Sequence, residues 1–152
     1  MYNITKKLLP LQAKKQSKAH LLETNNSKNI HMKPLNKQFA PKSVMPEKVI
    51  QFGEGNFLRA FVDWIIWNMD QKTDFNGSVV VVQPIEKGMV DWLNAQDCLY
   101  HVNLQGRENG KPVNTLERID VISRALNPYS QNAAFMALAD QPEIRFVISN
   151  TT

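Results

Sequence analysis

The chain has 152 residues, one cysteine, three tryptophans and a formal net charge of +4. That length accommodates one ordinary domain and little more, and a 43% hydrophobic fraction excludes wholesale disorder. A lone Cys98 excludes an internal disulfide framework and a multi-cysteine zinc site, and it fits the reducing cytoplasm.

The charge is unevenly placed. Met1 to His31 holds six lysines against the single acid Glu23, a net of +5. The other 121 residues hold twelve cations and thirteen acids, a net of −1. A slightly acidic body therefore follows a basic arm rich in Lys, Asn, Gln and Ser. With only Leu8-Leu9 and Leu21-Leu22 as apolar pairs, the arm cannot offset its ordering entropy, and it is expected to be solvated. It lacks a signal-peptide core, and no apolar run in the chain approaches the ~18 residues of a membrane span. A nucleic-acid partner is therefore not expected, nor is a membrane. Pro34, Pro41 and Pro46 make Met32 to Glu47 an extended lead-in. Residues 1–46 thus form a flexible basic extension, and the folded body is residues 47–152.

The body opens with Lys48-Val49-Ile50-Gln51-Phe52, a β-leaning run that stops at Gly53-Glu54-Gly55-Asn56. From Phe57 to Met69 the periodicity is helical, with Phe57, Phe61, Trp64, Ile65 and Asn68 on one face. Leu58, Val62, Ile66 and Met69 lie beside that face, so burial on most sides is predicted. Ser78 to Val82, four valines in a row, reads as a central strand of a parallel sheet, ended by Pro84. Strand, glycine turn, helix and buried strand within about 35 residues make a βαβ unit.

Gly88 to Gln96 predicts a short helix. Leu99 to Leu104 alternates apolar and polar, Gly106 to Gly110 predicts a turn, and Val113 to Ile122 reads as extended; together they form a β-hairpin. An alanine-rich helix is expected over Asn132 to Ala139, and Ile144 to Ile148 is expected as a third parallel strand.

The feature with chemistry is Gly53-x-Gly55 between strand and helix. Gly53 permits a tight turn, Gly55 lets a pyrophosphate approach the backbone, and the free amides of the first helical turn favour that anion. Leu58 takes the place of the usual third glycine, and Gln83-Pro84 that of the usual ribose-binding acid, with Glu86 and Lys87 just beyond. Arg59 is a cation in a first turn, where it opposes the helix dipole. A phosphate contact explains it, and so does pairing with Glu54 or Asp63.

Phe52-Gly53-Glu54-Gly55-Asn56-Phe57-Leu58-Arg59-Ala60-Phe61 resembles the opening of the long-chain mannitol dehydrogenase family of polyol and uronate oxidoreductases. Val79 to Glu86 and Pro142 to Thr152 carry the same resemblance, which runs from about Met32 to the last residue. It implies an α/β fold: a partial Rossmann-like doubly wound parallel sheet with a β-hairpin insertion. It also implies NAD as cofactor. The cofactor segment maps onto Ile50, Gln51, Phe52, Gly53, Glu54, Gly55, Asn56, Phe57, Leu58, Arg59, Ala60 and Phe61. Arg59 is then beside the pyrophosphate, Gln83 and Pro84 are near the adenosine ribose, and Asn150 and Thr151 approach the nicotinamide ribose. The uronate-acting members are the nearest in pattern, implying interconversion of tagaturonate and altronate; a mannitol- or fructuronate-acting member is the next reading.

In that family the catalytic lysine, with its Asn and His partners, lies in a C-terminal helical domain, so no catalytic residue is assigned here. The resemblance also makes Met32-Lys33-Pro34-Leu35-Asn36 look like a family start, with residues 1–31 upstream of it. Two classes are open: the cofactor-binding part of an oxidoreductase, or a non-catalytic truncated product or dinucleotide-binding module. A sugar-acid substrate is expected only for the full-length enzyme. His101 reads as structural, Cys98, with no flanking His, Lys or Arg, as an inert thiol, and Trp64, Trp67 and Trp92 as packing.

Overall fold

The computed structural model describes residues 35–150. The expectations for the arm over residues 1–31 and for Thr151 lie outside them. Four parallel strands form the main sheet in the order β5-β2-β1-β6, where β1 is Glu47–Phe52, β2 Ser78–Val82, β5 Ile122–Leu126 and β6 Phe146–Ser149. The α-helix α1, Asn56–Lys72, joins β1 to β2, and the short helix α2, Val90–Ala95, follows β2. An antiparallel hairpin of β3, Tyr100–Glu108, and β4, Lys111–Ile119, is inserted before β5. After β5 come α3, Asn132–Met136, and a 3₁₀ turn, Ala137–Asp140.

The valines of β2 explain the layering. Val79, Val80, Val81 and Val82 are all 0% exposed. Val79 and Val81 pack with Val49, Ile66, Tyr100 and Ile119 on one face, while Val80 and Val82 meet Leu126, Leu138 and Phe135 on the other. A strand covered on both faces needs no polar alternation, which is why a continuous apolar run encodes it. The sheet is doubly wound, as expected.

Several expectations need correcting. The run predicted as extended from Val113 to Ile122 is two strands: β4 ends at Ile119, and β5 begins at Ile122 in the other sheet. Ser123 and Arg124 disguised β5. Their polar groups are satisfied at the strand's start, where Arg124 holds the Glu47 carboxylate through Nε and Nη2, both at 2.9 Å. The hairpin turns at Asn109-Gly110, both at positive φ, and Gly106 lies within β3.

Helix α1 is not buried on most sides. Phe57, Phe61, Ile65 and Met69, spaced four apart, are 37–61% exposed, and Phe57 stacks on Phe61 at 5.5 Å. Its buried residues are Leu58, Arg59, Asp63 and Ile66, two of them charged types. Phe146 and Val147 of edge strand β6 are also exposed.

The lead-in from Asn36 to Pro46 is tied to the body. Lys42 donates to the carbonyls of Asp97 and Ser123, and the Ser43 amide and hydroxyl both donate to Asp120 Oδ2. Trp67 Nε1 donates to the other Asp120 oxygen at 3.1 Å, so one carboxylate joins lead-in, helix and hairpin base.

Candidate functional site

Parallel register brings the turns after β1, β2 and β6 to one end of the sheet. Phe52 is level with both Val82 and Ser149, Gly53 N–H donates to Val82 O at 2.9 Å, and Asn150 N–H donates to Phe52 O at 3.2 Å. In chain order the parallel strands run outward from β1 through β2 to β5, and then return to β1's other side as β6. The reversal falls between β1 and β6, the topological switch point where open α/β sheets bind ligands beyond their carboxyl ends.

The two glycines of the turn do different work. Gly53 has φ +117°, and a Cβ there would stand 3.1 Å from Leu58 Cδ1. Leu58, in the third-glycine position, thus fits the strand because Gly53 leaves room for it. Gly55 has φ −70° and caps α1; a Cβ there would meet nothing within 4 Å. Its backbone faces open space. No side chain caps α1 and no acid lies in its first turn, so its amides and dipole are left for an anion.

Arg59 is 6% exposed, yet among the described residues it forms no direct ion pair with a carboxylate. Its Nε donates to the Glu54 backbone carbonyl at 2.9 Å and its Nη2 to Asn56 Oδ1 at 2.6 Å, both neutral acceptors. Trp92 and Tyr100 rings flank the guanidinium at 5.9 and 5.3 Å. The alternative of an ion pair with Glu54 or Asp63 is not what the side chain makes. A buried cation whose direct hydrogen bonds go to neutral acceptors, beside open helix amides, suits a phosphate.

Gln83 is 1% exposed and points inward. Its amide donates to Ile85 O and Glu86 O, and its oxygen accepts from the Val90 amide, so it shapes the loop. Pro84, Glu86 and Lys87 are exposed on that loop. Gly88 lies against both loops: a Cβ there would stand 2.3 Å from Glu54 Oε1 and 2.5 Å from Gln83 Oε1. Ile50 and Phe52 face the α3 side, Phe52 edge-on to Phe135 at 6.1 Å. Gln51 is fully buried, Phe57, Ala60 and Phe61 are exposed, and Asn150 is exposed at the end of β6. Asn56, Arg59, Ala60, Tyr100, His101 and Asn103 line a cavity of about 200 Å³ between α1 and β3.

Residues 47–152 match the mannitol dehydrogenase Rossmann domain. The chain belongs to the mannitol dehydrogenase family. Within the family it is 78% identical over 121 residues to altronate oxidoreductase of Phocaeicola vulgatus, covering 80% of this chain and 25% of that protein. It is 51% identical over 107 residues to altronate oxidoreductase of Bacillus subtilis, covering 70% of this chain and 22% of that protein. The chain therefore spans about a quarter of the length of these relatives. Among solved structures it resembles Pseudomonas fluorescens mannitol 2-dehydrogenase in ternary complex with NAD and D-mannitol (TM-score 0.61, 23% identity, 76% of this chain, 26% of that one). Substrate-free D-sorbitol dehydrogenase gives a TM-score of 0.59 at 22% identity, over 72% of this chain and 23% of that one. Both likenesses are of fold.

Sequence reasoning missed one group beneath the candidate site. Beneath the glycine turn, Asp63 is 0% exposed and accepts from Gln51 Nε2 at 3.4 Å and from the Tyr100 hydroxyl at 3.3 Å. Burial pushes the Asp63 carboxyl up to about 7, against the opposing pull of the two hydrogen bonds and of the Arg59 charge. The signal available was an acid on the predicted inner side of an apolar helix. Burial likewise pushes the Cys98 thiol up to about 11, as suits an inert residue.

Proposed function

We propose that this chain is the cofactor-binding part of an NAD-dependent oxidoreductase that interconverts tagaturonate and altronate in hexuronate breakdown. The observation that carries the cofactor reading is Arg59: a buried guanidinium bonded directly only to neutral acceptors, at the first turn of a helix with no side-chain cap at the sheet's switch point. The dinucleotide supplies hydride chemistry when bound; the chain's residues bind and orient it. Gly53 makes the turn, Gly55 admits the pyrophosphate to the α1 amides, and Arg59 neutralises it. The exposed loop at Pro84 to Lys87 receives the adenosine ribose, and Asn150 lies on the nicotinamide side of the switch point. The names of the most similar relatives support the sugar-acid substrate, and a cytoplasmic setting suits the lone buried Cys98. Acid–base groups for the reaction belong to the remainder of the full-length enzyme.

The test is titration of the chain with NADH and NADPH, followed by nicotinamide fluorescence. NADH binding that weakens roughly tenfold or more in Arg59→Ala, the loss of a charge-assisted contact, supports the reading. Unchanged affinity removes Arg59 from the site, and preference for NADPH overturns NAD. In the full-length enzyme, tagaturonate-dependent NADH oxidation tests the substrate.

A further inference from the structure

The set beneath the glycine turn joins β1, α1 and β3. From β1, Gln51 Nε2 donates to Gly53 O at 3.1 Å and to Asp63 Oδ2. From β3, the Tyr100 hydroxyl lies 2.9 Å from Arg59 O and 3.3 Å from the same Asp63 oxygen, while its ring lies against the guanidinium. The Gly53 carbonyl and the Arg59 backbone are thereby joined through one buried carboxyl. We propose that Asp63 is a positioning residue for the dinucleotide site, holding the glycine turn through Gln51 and the first turn of α1 through Tyr100. This rests on the cofactor reading above.

Donors and acceptors indicate which state of Asp63 does this. Asp63 Oδ1 and Gln51 Oε1 are both buried, and neither has a hydrogen-bond partner. Two buried acceptors without donors are costly, and burial favours the uncharged form of the Asp63 carboxyl. The titratable groups facing Asp63 are Arg59 on its own helix and Tyr100 on β3, with neutral Gln51 on β1. Burial pushes the Tyr100 phenol far up, so it stays a donor across neutral pH. Neutral Asp63 is therefore the state that holds the turn, and ionisation introduces a buried charge beneath it.

The experiment is an NADH titration of the whole chain at pH 6.5, 7.5 and 8.5, for the native protein and for Asp63→Asn, Asp63→Leu and Tyr100→Phe. Native affinity is expected to fall about fivefold or more across that range, following loss of the proton. Asp63→Asn, which keeps the acceptor and restores a donor, should bind as the native chain does at pH 6.5, with a flat profile. Asp63→Leu and Tyr100→Phe should bind several-fold more weakly. An Asp63→Asn variant with the native profile, or a folded Tyr100→Phe with native affinity, overturns the proposal. If the native chain binds no NADH, the cofactor reading fails. Positioning is then read from hydrogen exchange of the amides from Gly53 to Arg59. Faster exchange in Tyr100→Phe upholds it, and unchanged exchange overturns it.

Discussion

The two ends of the main sheet are built from the same strands and finished in opposite ways. At the amino end, Glu47 and Arg124 form a bidentate pair and Asp120 accepts from Ser43 and Trp67. Lys42 is spent on two carbonyls. At the carboxyl end, Gly55 is open, α1 is uncapped, Arg59 has only neutral acceptors, and two acceptors under the turn lack donors. The named groups at the amino end are satisfied within the chain, although Asp70 Oδ2 and Arg118 Nε elsewhere also lack partners, whereas the groups left over at the carboxyl end surround the proposed ligand site. Substitutions at the two ends should therefore separate stability from binding.

The largest expected effect is on turnover. The 152-residue chain should show no NADH oxidation with tagaturonate, because acid–base groups are expected in the rest of the enzyme; turnover at a normal rate would place them within this chain. Next come the glycines, which divide cleanly. Gly53→Ala puts a side chain at φ +117° and against Leu58, and should cost about 1–3 kcal/mol in urea unfolding. Gly55→Ala meets no neighbour, so stability should hold within about 0.5 kcal/mol while NADH affinity drops severalfold. Equal loss of stability in both would erase the distinction between turn-maker and ligand-facing glycine. The smallest effect is at the amino end. Glu47→Gln breaks a pair whose arginine side is 40% exposed, and should cost about 1 kcal/mol or less with NADH affinity unchanged.

The buried carboxyl adds a pH test of the same contrast. The folded state raises Asp63 from 3.8 to about 7, so between those values the folded chain holds a proton that the unfolded chain has released. Stability from this group should then fall as pH rises from about 4 to about 7 and stay level above. Asp70, also raised by burial, acts in the same direction, and exposed Asp97, lowered by the Lys37 amide, acts in the opposite one. The difference between native and Asp63→Asn melting curves isolates Asp63. A parallel pair of curves would show that Asp63 is ionised in the folded state.

The exposed apolar surface marks a further contrast, between a sheet centre that is covered and an edge that is not. Val79 to Val82 are wholly enclosed, while Phe146, Val147 and the Phe57–Phe61–Ile65–Met69 stripe face solvent in this chain. The helix periodicity identified the stripe as apolar but not what covers it. Such a face and open strand edge carry an aggregation liability.

Sequence alone determined the local events. Valine continuity gave away a strand buried on both faces, and Gly53-x-Gly55 before a periodic run placed the turn between strand and helix. Each signal resides in neighbours a few residues apart. Tertiary structure decided the rest, because it depends on groups far apart in the chain. Strand β5 was hidden because Arg124 is explained only by Glu47, 77 residues away. The role of Asp63 was hidden because its partners, Gln51 and Tyr100, arrive from two other elements. Burial of a charge is a property of the assembled fold, and it is what turns an ordinary helix acid into a proton-holding support for the site.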